Sequence, residues 1–240
     1  MTGWLTTHQP EVLCLQETKV VDSEFPLEAL AETGYHVTFR GMKGYNGVAT
    51  FTREKPEKVI HGLQAGPDHE DFRILQTVVN GIPIINTYIP QGYAPATEKF
   101  AYKLGWFKRL RAYFAEHLDP QRPAIWLGDL NVAPEPIDVY DPENLVNSPD
   151  FHPEARAAYK ETVGWGFVDV FRRLYPDVRQ YTYWDFFQNR FARNHGWRID
   201  HILATAPLAE RCIRVEVDLA PRQAPGPSDH TVLWAEFDVL

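Results

Sequence analysis

The stretch AIWLGDLNVAP, residues 124–134, joins a short apolar run to two polar side chains that stand two positions apart. The apolar part, Ala124–Leu127, has the length and composition of a buried strand. Because side chains alternate between the faces of a strand, Asp129 and Asn131 point the same way if the strand geometry persists. Gly, Asp and Asn are also turn formers, so for this stretch alone a plain turn is an equal alternative.

Four other apolar runs meet polar side chains in the same way, at Gln16–Thr18, Tyr88–Gly92, Arg198–His201 and Pro227–His230. Five independent turns explain this pattern less simply than one constellation built from the ends of several strands. The sequence therefore predicts a polar functional site at strand ends.

Composition narrows the class of protein. The chain has 240 residues, a formal net charge of −8 and two cysteines far apart, Cys14 and Cys212. We expect one domain over residues 1–240, no disulfide framework and a reducing, cytoplasmic location. No apolar stretch approaches the ~20 residues that span a bilayer, and no signal peptide is evident, so no membrane partner is expected.

Short apolar runs between turn signals predict nine strands. They are Val12–Gln16, Tyr35–Phe39, Val48–Thr52, Ile74–Val79, Ile84–Tyr88, Ala124–Leu127, Ile199–Ala204, Ile213–Val217 and Thr231–Phe237. Apolar positions spaced by three and four predict a helix over 97–118, with weaker helices over 153–163 and 24–33. Many strands with few helices predict an α+β fold in which sheets pack together and helices lie outside.

Basic residues are concentrated in two segments, 99–111 and 172–198, while acids dominate elsewhere. Such a protein can bind phosphates on one face and metal cations in one pocket. The basic positions of 99–111 fall largely off the apolar stripe of the predicted helix, which favours a solvated helix face. The second segment includes Arg172, Arg190, Arg193 and Arg198.

The polar residue types at the five strand ends suit a phosphodiesterase that uses a hard cation. The carboxylate of Glu17 suits Mg²⁺, which prefers oxygen ligands. Asp129 is placed to accept a proton from an attacking water, and His230 to donate a hydrogen bond to a phosphoryl oxygen. The sequence has no glycine-rich phosphate loop, zinc-ligand spacing or G-x-S-x-G elbow.

Seven motifs, in this order along nearly the whole chain, resemble the exonuclease III family of the endonuclease/exonuclease/phosphatase superfamily. They are LQETK (15–19), NGVA (46–49), TYIPQG (87–92), GDLNVAP (128–134), TYWD (182–185), GWRIDHILAT (196–205) and PSDHTVLW (227–234). LQETK, GDLN and SDH are specific in combination, whereas each alone would be weak. The PQG after the tyrosine and the segment from TYWD to RIDH favour the DNA-repair branch of the superfamily.

The resemblance implies a four-layer α/β sandwich of the DNase I type, with two mainly antiparallel sheets packed face to face and helices outside. It implies a Mg²⁺-dependent hydrolase, with Mn²⁺ as an alternative ion, that cleaves double-stranded DNA on the 5′ side of abasic sites. It also implies 3′→5′ exonuclease and 3′ phosphatase activity, and so damaged 3′ ends as substrates. We expect a monomer, because one duplex fits one active face.

Matched motif by motif, the resemblance assigns roles to residues of this chain. The implied catalytic residues, which activate water, orient the attack and contact the phosphate, are Asp129, Asn131, Tyr88, Asp200 and His230. The implied metal ligands are Glu17, Asp229, Asp129 and Asn131. The implied DNA contacts are Gln91, Trp184, Asn194 and Arg193. Trp184 resembles the aromatic residue of the abasic-site pocket, with a core tryptophan as an equal alternative. An aromatic-lined pocket flanked by arginines would suit such a site, and the arginines concerned are Arg172, Arg190, Arg193 and Arg198.

The N-terminus departs from the family pattern. The family usually opens with a strand of the form S-F-N-x-N, whose Asn joins the catalytic centre, but this chain opens MTGWLTTHQP with only a helix remnant. We expect one interior strand and one polar ligand of the active site to be missing. The first loss leaves backbone groups of the sheet unpaired, and the second lowers the catalytic rate. A misassigned start of the natural protein is favoured over a genuine truncated form with weakened activity, or over a replacement by another segment.

Two other functions remain open at this point. One is a superfamily phosphodiesterase or phosphatase that acts on a small phosphate ester and ignores duplex DNA. The other is a catalytically impaired module that binds abasic DNA without cutting it.

Overall fold

The computed structural model describes residues 1–63 and 72–239. The chain forms two compact units, which are Met1–Tyr88 with Ile125–Gly128, and Ile89–Ala124 with Asp129–Leu240. The expectation of one domain over residues 1–240 stays a prediction.

The first unit holds two sheets that pack face to face. The smaller is antiparallel with the strand order β1-β3-β2, and its strands are β1 (Val12–Gln16), β2 (His36–Met42) and β3 (Tyr45–Thr52). The part of the other sheet that lies in this unit has the order β4-β5-β6-β7, and its strands are β4 (Lys58–His61), β5 (Ile74–Val79), β6 (Ile82–Tyr88) and β7 (Ile125–Asp129), of which Asp129 belongs to the second unit. β3 packs against β5 and β6, and buried Asn86 of β6 donates hydrogen bonds to the carbonyls of Leu15 and Ala49.

Short helices cover the outer face of the smaller sheet. Leu5 of α1 (Thr2–His8) and Leu30 of α2 (Leu27–Leu30) form a buried cluster with Ala49 and Phe51 of β3. The helix expected at the N-terminus is therefore present as α1. β1 lies at the edge of this sheet in the described part of the chain, and all five of its residues are partly exposed.

The second unit combines helices with short antiparallel strand pairs. α3 (Glu98–His117) begins where the side chain of Thr97 accepts a hydrogen bond from the Phe100 amide, and it packs on α4 (Pro153–Val163). Phe114 of α3 contacts Phe167 with ring centroids 4.9 Å apart. The remaining elements are β8 (Phe167–Asp169), α5 (Val170–Leu174), β9 (Asp200–Thr205), α6 (Ala206–Ala209), β10 (Cys212–Asp218), α7 (Ala220–Gln223) and β11 (Val232–Phe237).

The pairing in the second unit is antiparallel. β8 pairs with β9, and β10 pairs with β11. β9 begins at Asp200, so the RIDH motif enters this strand directly. Asp200, at the start of β9, and His230, in the loop before β11, lie close to Asp129.

All nine predicted strands are present, several with longer ends, and the helices over 97–118 and 153–163 are confirmed as α3 and α4. The predicted helix over 24–33 is broken, with α2 between two 3-10 turns at Asp22–Glu24 and Ala31–Thr33. β4 and β8 were not predicted, because runs of three or four residues are too short to show the alternation of apolar and polar side chains that identifies a strand. The α+β fold with packed sheets and outer helices is confirmed.

Candidate active site

The GDLN stretch combines the two alternatives that the sequence left open. β7 ends at Asp129, and Asn131 adopts a left-handed backbone with φ 49°, so strand geometry does not persist between them. The two side chains nevertheless meet, because the Asn131 backbone amide donates to Asp129 Oδ1 at 3.0 Å and its Nδ2 donates to Oδ2 at 3.2 Å. Beyond Asp129 the turn alternative therefore holds, and the turn itself builds the polar site.

His230 is held by Asp200 in the arrangement that the motifs predicted. Its Nδ1 lies 2.8 Å from Asp200 Oδ2, and its Nε2 lies 3.9 Å from Asp129 Oδ2. The backbone amide of His230 donates to the hydroxyl of Ser228 at 3.2 Å, which fixes the loop that carries the ring. The imidazole is thus oriented by one carboxylate and turned toward the other.

Burial and neighbouring charges change the pKa values of Asp129 and His230. Burial raises the pKa of Asp129; the charge of His230 opposes this rise and that of Asp200 adds to it. Burial alone would lower the pKa of His230, but the charges of Asp200 and Asp129 raise it above its usual value. The arrangement therefore favours a positively charged imidazole beside a carboxyl group whose affinity for a proton is raised.

The carboxylates of Asp129 and Asp200 fit a divalent cation, whereas a positively charged imidazole has no lone pair to offer one. Among the described residues, one ligand atom from each of Asp129, Asp200 and His230 lies within 4.8 Å of the others. The two carboxylates supply the oxygen ligands that hard cations prefer. Burial makes the negative charge of Asp129 unfavourable, and a bound cation would offset that cost. Asp200 was not among the predicted metal ligands, and Asp229, which was, lies outside this cluster.

In the first unit, Glu17 and Tyr88 form a second polar group. The Tyr88 hydroxyl donates to Glu17 Oε1 at 2.8 Å, and Lys19 Nζ lies 3.1 Å from Glu17 Oε2. The side chain of Glu17 is 44% exposed, so its carboxylate is accessible to a cation. Beneath it, Gln16 donates to Asn86 at 2.7 Å, which anchors the end of β1.

The predicted DNA contacts differ in accessibility. Gln91, Arg193 and Asn194 are exposed, whereas Trp184 is 1% exposed. The indole of Trp184 donates to Asn194 Oδ1 at 3.1 Å, so the ring supports the loop that carries Asn194. In this conformation Trp184 has the burial of a core tryptophan, the alternative stated for it above. Tyr183 is the aromatic residue next to the site, with its ring centroid 4.9 Å from that of His230.

Two of the four arginines expected beside the abasic-site pocket have structural roles. Arg198 is 0% exposed and bonds Asp138 Oδ1 at 2.7 Å and Asp169 Oδ2 at 2.7 Å. Arg172 donates to Asp138 at 2.5 Å and to several backbone carbonyls. Their place beside a DNA pocket was therefore wrong, because buried carboxylates neutralise both guanidinium groups.

Sequence reasoning also missed two buried groups close to the GDLN turn. Lys103 was expected on a solvated helix face, but it is 0% exposed, and its partner Asp150 was not singled out. Neither belongs to a recognised motif. The available signal was position 103 itself, one helical turn from apolar Phe100 and Phe107.

Comparison with known proteins places this geometry in a family. The model of the endonuclease/exonuclease/phosphatase family matches residues 1–230. Exodeoxyribonuclease III of Haemophilus influenzae is 37% identical over 96% of this chain and 91% of its own length.

Solved structures agree in fold over the whole chain. An AP endonuclease from Archaeoglobus fulgidus has 48% identity and a TM-score of 0.97, covering 100% of this chain and 93% of its own. A variant of the 3′ phosphatase NExo from Neisseria, bound to a product DNA hairpin, has 35% identity and a TM-score of 0.92, covering 99% and 92%. The chain therefore belongs to the endonuclease/exonuclease/phosphatase family, and within it to the exodeoxyribonuclease III and AP endonuclease type of DNA-repair nuclease.

Proposed function

We propose that the chain cleaves the phosphodiester bond 5′ to abasic sites in double-stranded DNA, with Mg²⁺ as the cofactor. The observation that carries this proposal is the contact of Asp129, Asp200 and His230 at the end of the GDLN strand. The names of similar proteins, which include AP endonucleases and exodeoxyribonuclease III, support the choice of substrate.

Four residues of the second unit have distinct proposed roles in the reaction. Asp129 accepts the proton of the attacking water, and Asn131, bound to both carboxylate oxygens of Asp129, orients the attack. His230 donates from Nε2 to a phosphoryl oxygen, while Asp200 holds Nδ1 and keeps the ring charged. A divalent cation, when bound, supplies further charge stabilisation to the phosphate and the leaving oxygen.

Residues of the first unit have proposed roles of their own. We infer that Glu17 is a ligand for the cation, a role that its exposed carboxylate supports. Tyr88 donates to Glu17, and its hydroxyl is a proposed contact for phosphate or leaving group. Asp229 of the second unit, partly exposed beside His230, remains a proposed additional acid at the metal.

DNA is the proposed partner through an exposed surface of the second unit. Gln91, Arg193 and Asn194 offer amide and guanidinium donors to the backbone. Extruding an abasic nucleotide costs less than extruding an intact one, because no base has to be unstacked. Damaged 3′ ends, with 3′→5′ exonuclease and 3′ phosphatase activity, are proposed as secondary substrates, which the similarity to NExo supports.

We also propose a cytoplasmic monomer. Both cysteines are free, as a reducing compartment would leave them. Of the described helices, none has the length and apolar character needed to cross a bilayer.

An end-labelled duplex with one abasic-site analogue tests the proposal. We expect a single nick 5′ to the analogue with Mg²⁺, none with chelator, and little cleavage of the matched intact duplex. Hydrolysis of a soluble phosphate ester without nicking would favour the small-ester enzyme. Salt-sensitive binding without turnover at any Mg²⁺ concentration would favour the DNA-binding module.

A further inference from the structure

Lys103 is a fully buried cation next to the catalytic turn. Its side chain is 0% exposed within α3, although lysine is seldom buried without paired charge. Removing an ammonium group from water is costly unless polar partners replace its hydration shell. A buried lysine at this position therefore requires a specific set of acceptors.

Four oxygen atoms surround the ammonium group. Nζ lies 2.6 Å from the Asn131 carbonyl, 3.0 Å from the carbonyls of Gln91 and Pro149, and 3.1 Å from Asp150 Oδ1. An ammonium group donates three hydrogen bonds, whereas a neutral amine donates only two, so this shell of acceptors selects the charged form. Burial lowers the pKa of Lys103, and the charge of Asp150 opposes that change.

The acceptors belong to three separate loops, and each loop carries or supports a proposed functional residue. Gln91 follows β6, Asn131 follows β7, and Pro149–Asp150 precedes α4. The loops are also bonded to one another, since Gln91 Nε2 donates to Asp150 Oδ2 at 3.2 Å. The amide of Ala133 donates to the Asp150 carbonyl at 2.7 Å. One cation thus stands at the point where the three loops meet.

The contact with Asn131 leads directly to Asp129. Asn131 has φ 49°, a left-handed conformation that costs free energy for a residue other than glycine. Lys103 binds its carbonyl, while its amide and side chain bind the carboxylate of Asp129. The strained turn that aims Asp129 is therefore held from behind by the ammonium group.

We propose that Lys103 is a positioning residue for phosphodiester cleavage, which sets the conformation of the Asp129–Asn131 turn. The inference rests on the proposed nuclease activity. Lys103 does not touch DNA, because its side chain is enclosed, so its loss lowers kcat and leaves KM and DNA binding nearly unchanged. A displacement of about 1 Å in such a site can cost on the order of 10²-fold in rate.

The test compares Lys103→Met, Lys103→Gln and the control Lys108→Met, whose lysine is exposed on the same helix. Single-turnover and steady-state nicking of the abasic duplex with Mg²⁺ give kcat and KM, and binding of the uncut duplex is measured with chelator. We expect kcat to fall by about 10²-fold in Lys103→Met and less in Lys103→Gln, which retains two donors. KM and binding should stay within about twofold, and Lys108→Met should match the wild type.

A double-mutant cycle separates positioning from a purely structural role. In an Asp129→Asn background, we expect Lys103→Met to add at most about a twofold further loss, because the turn then no longer positions a carboxylate that activates water. A full, independent loss in that background would overturn the inference. So would a wild-type kcat in folded Lys103→Met or Lys103→Gln.

Two further measurements are needed, which are whether the Lys103 variants fold and whether the wild type nicks the duplex. If Lys103→Met does not fold, Lys103→Gln decides; if neither folds, Lys103 is a folding residue and the inference fails. A wild-type chain that does not nick the duplex contradicts the proposed function instead. An active wild type with unaffected Lys103 variants contradicts only the positioning role.

Discussion

At the residue scale, the contact between Asp200 and His230 controls the charge of the site. Asp200 Oδ2 lies 2.8 Å from His230 Nδ1, and its charge is the largest of those that raise the pKa of the ring. A group with a raised pKa carries its charge up to a higher pH than usual. The chemistry proposed for His230 therefore depends on a neighbour that need not touch the substrate.

Asp200→Asn tests this dependence through pH. Without the carboxylate the pKa of His230 falls, so the ring loses its charge at lower pH, and the alkaline limb of the kcat profile moves to lower pH. We expect kcat near neutral pH to fall by about 10²-fold. Asp177→Asn, at an exposed position, is the control and should leave the profile unchanged. An alkaline limb that stays in place in Asp200→Asn would refute the orienting and charging role.

The predictability of single residues follows from whether their function lies in a local motif. Asp129, Asn131 and His230 stand in short motifs at strand ends, and the structure brings them together. Lys103 and Arg198 lie in basic segments whose charge suggested solvent or DNA, yet both are buried. Their partners come from segments that are distant in sequence, and no local pattern predicts which segment supplies the carbonyl or carboxylate.

At the element scale, Gly128 permits β7 to end beside β6. Its φ is 132°, and a Cβ atom at this position would collide with the carbonyl oxygen of Thr87. We expect Gly128→Ala to lower the free energy of unfolding by on the order of 3 kcal/mol. Gly3→Ala is the matched control, because Gly3 lies in α1 with open space around it and alanine there should stabilise by ~0.5–1 kcal/mol. Denaturant unfolding of both variants measures the difference, and an equal effect would contradict the close approach.

The buried ion pairs of Arg198 tie β8 and β9 to the segment after the GDLN turn. Burial would raise the pKa values of Asp138 and Asp169, but the Arg198 charge lowers both below their usual range. A depressed carboxyl pKa contributes stability above the unfolded-state value of about 3.9, and this is lost as the pH falls below it. The elements around Asp200 should therefore be sensitive to acid.

Arg198→Met tests that coupling. We expect the stability at neutral pH to fall by about 3–5 kcal/mol, because two carboxylates lose their buried partner. The stability should also decline less steeply than in the wild type as the pH falls below about 4. Arg214→Met removes an ion pair whose side chains are 53% and 45% exposed, and it should change neither quantity appreciably. Parallel acid slopes for the wild type and Arg198→Met would contradict the account.

Strands and long helices were predictable because their apolar period is local. α4 and β5 have the predicted bounds, and α3 differs by one residue at each end. The short strands β4 and β8 owe their pairing to neighbours rather than to their own sequence. The same holds for the end of β7, where the GDLN turn replaces a continuing strand.

At the scale of the whole molecule, a net charge of −8 has to be reconciled with binding to DNA. Local basic side chains can neutralise phosphates while the overall charge stays negative, and binding then releases counterions. Arg193 is exposed on the proposed DNA surface. The affinity should consequently fall steeply as salt increases.

Arg193→Gln should weaken binding uniformly across sequences and reduce the slope of log affinity against log salt by about 1. Arg53→Gln, which removes an arginine ion-paired to Glu11, is the control and should leave the slope unchanged. Fluorescence anisotropy of an abasic duplex in chelator, repeated over a range of salt concentrations, measures both slopes. A wild-type affinity that stayed flat between low and moderate salt would count against DNA as the partner.

The class of the molecule was readable from the order of seven motifs, and the family comparison agrees with it. The choice of abasic DNA over other phosphodiesters came from resemblance, because the residue chemistry alone serves any phosphate ester. The electrostatics of the site needed the fold, since Asp129, Asp200 and His230 are far apart in sequence and act on one another only when the folded chain brings them together.

The most direct test of the account is nicking of an end-labelled abasic duplex by the wild type and by Asp129→Asn, with Mg²⁺ and with chelator. The account predicts chelator-sensitive nicking 5′ to the abasic site by the wild type. It predicts a loss of at least about 10³-fold in Asp129→Asn, with binding of the uncut duplex retained. Nearly full activity in Asp129→Asn would contradict the assignment of Asp129 as the group that activates water.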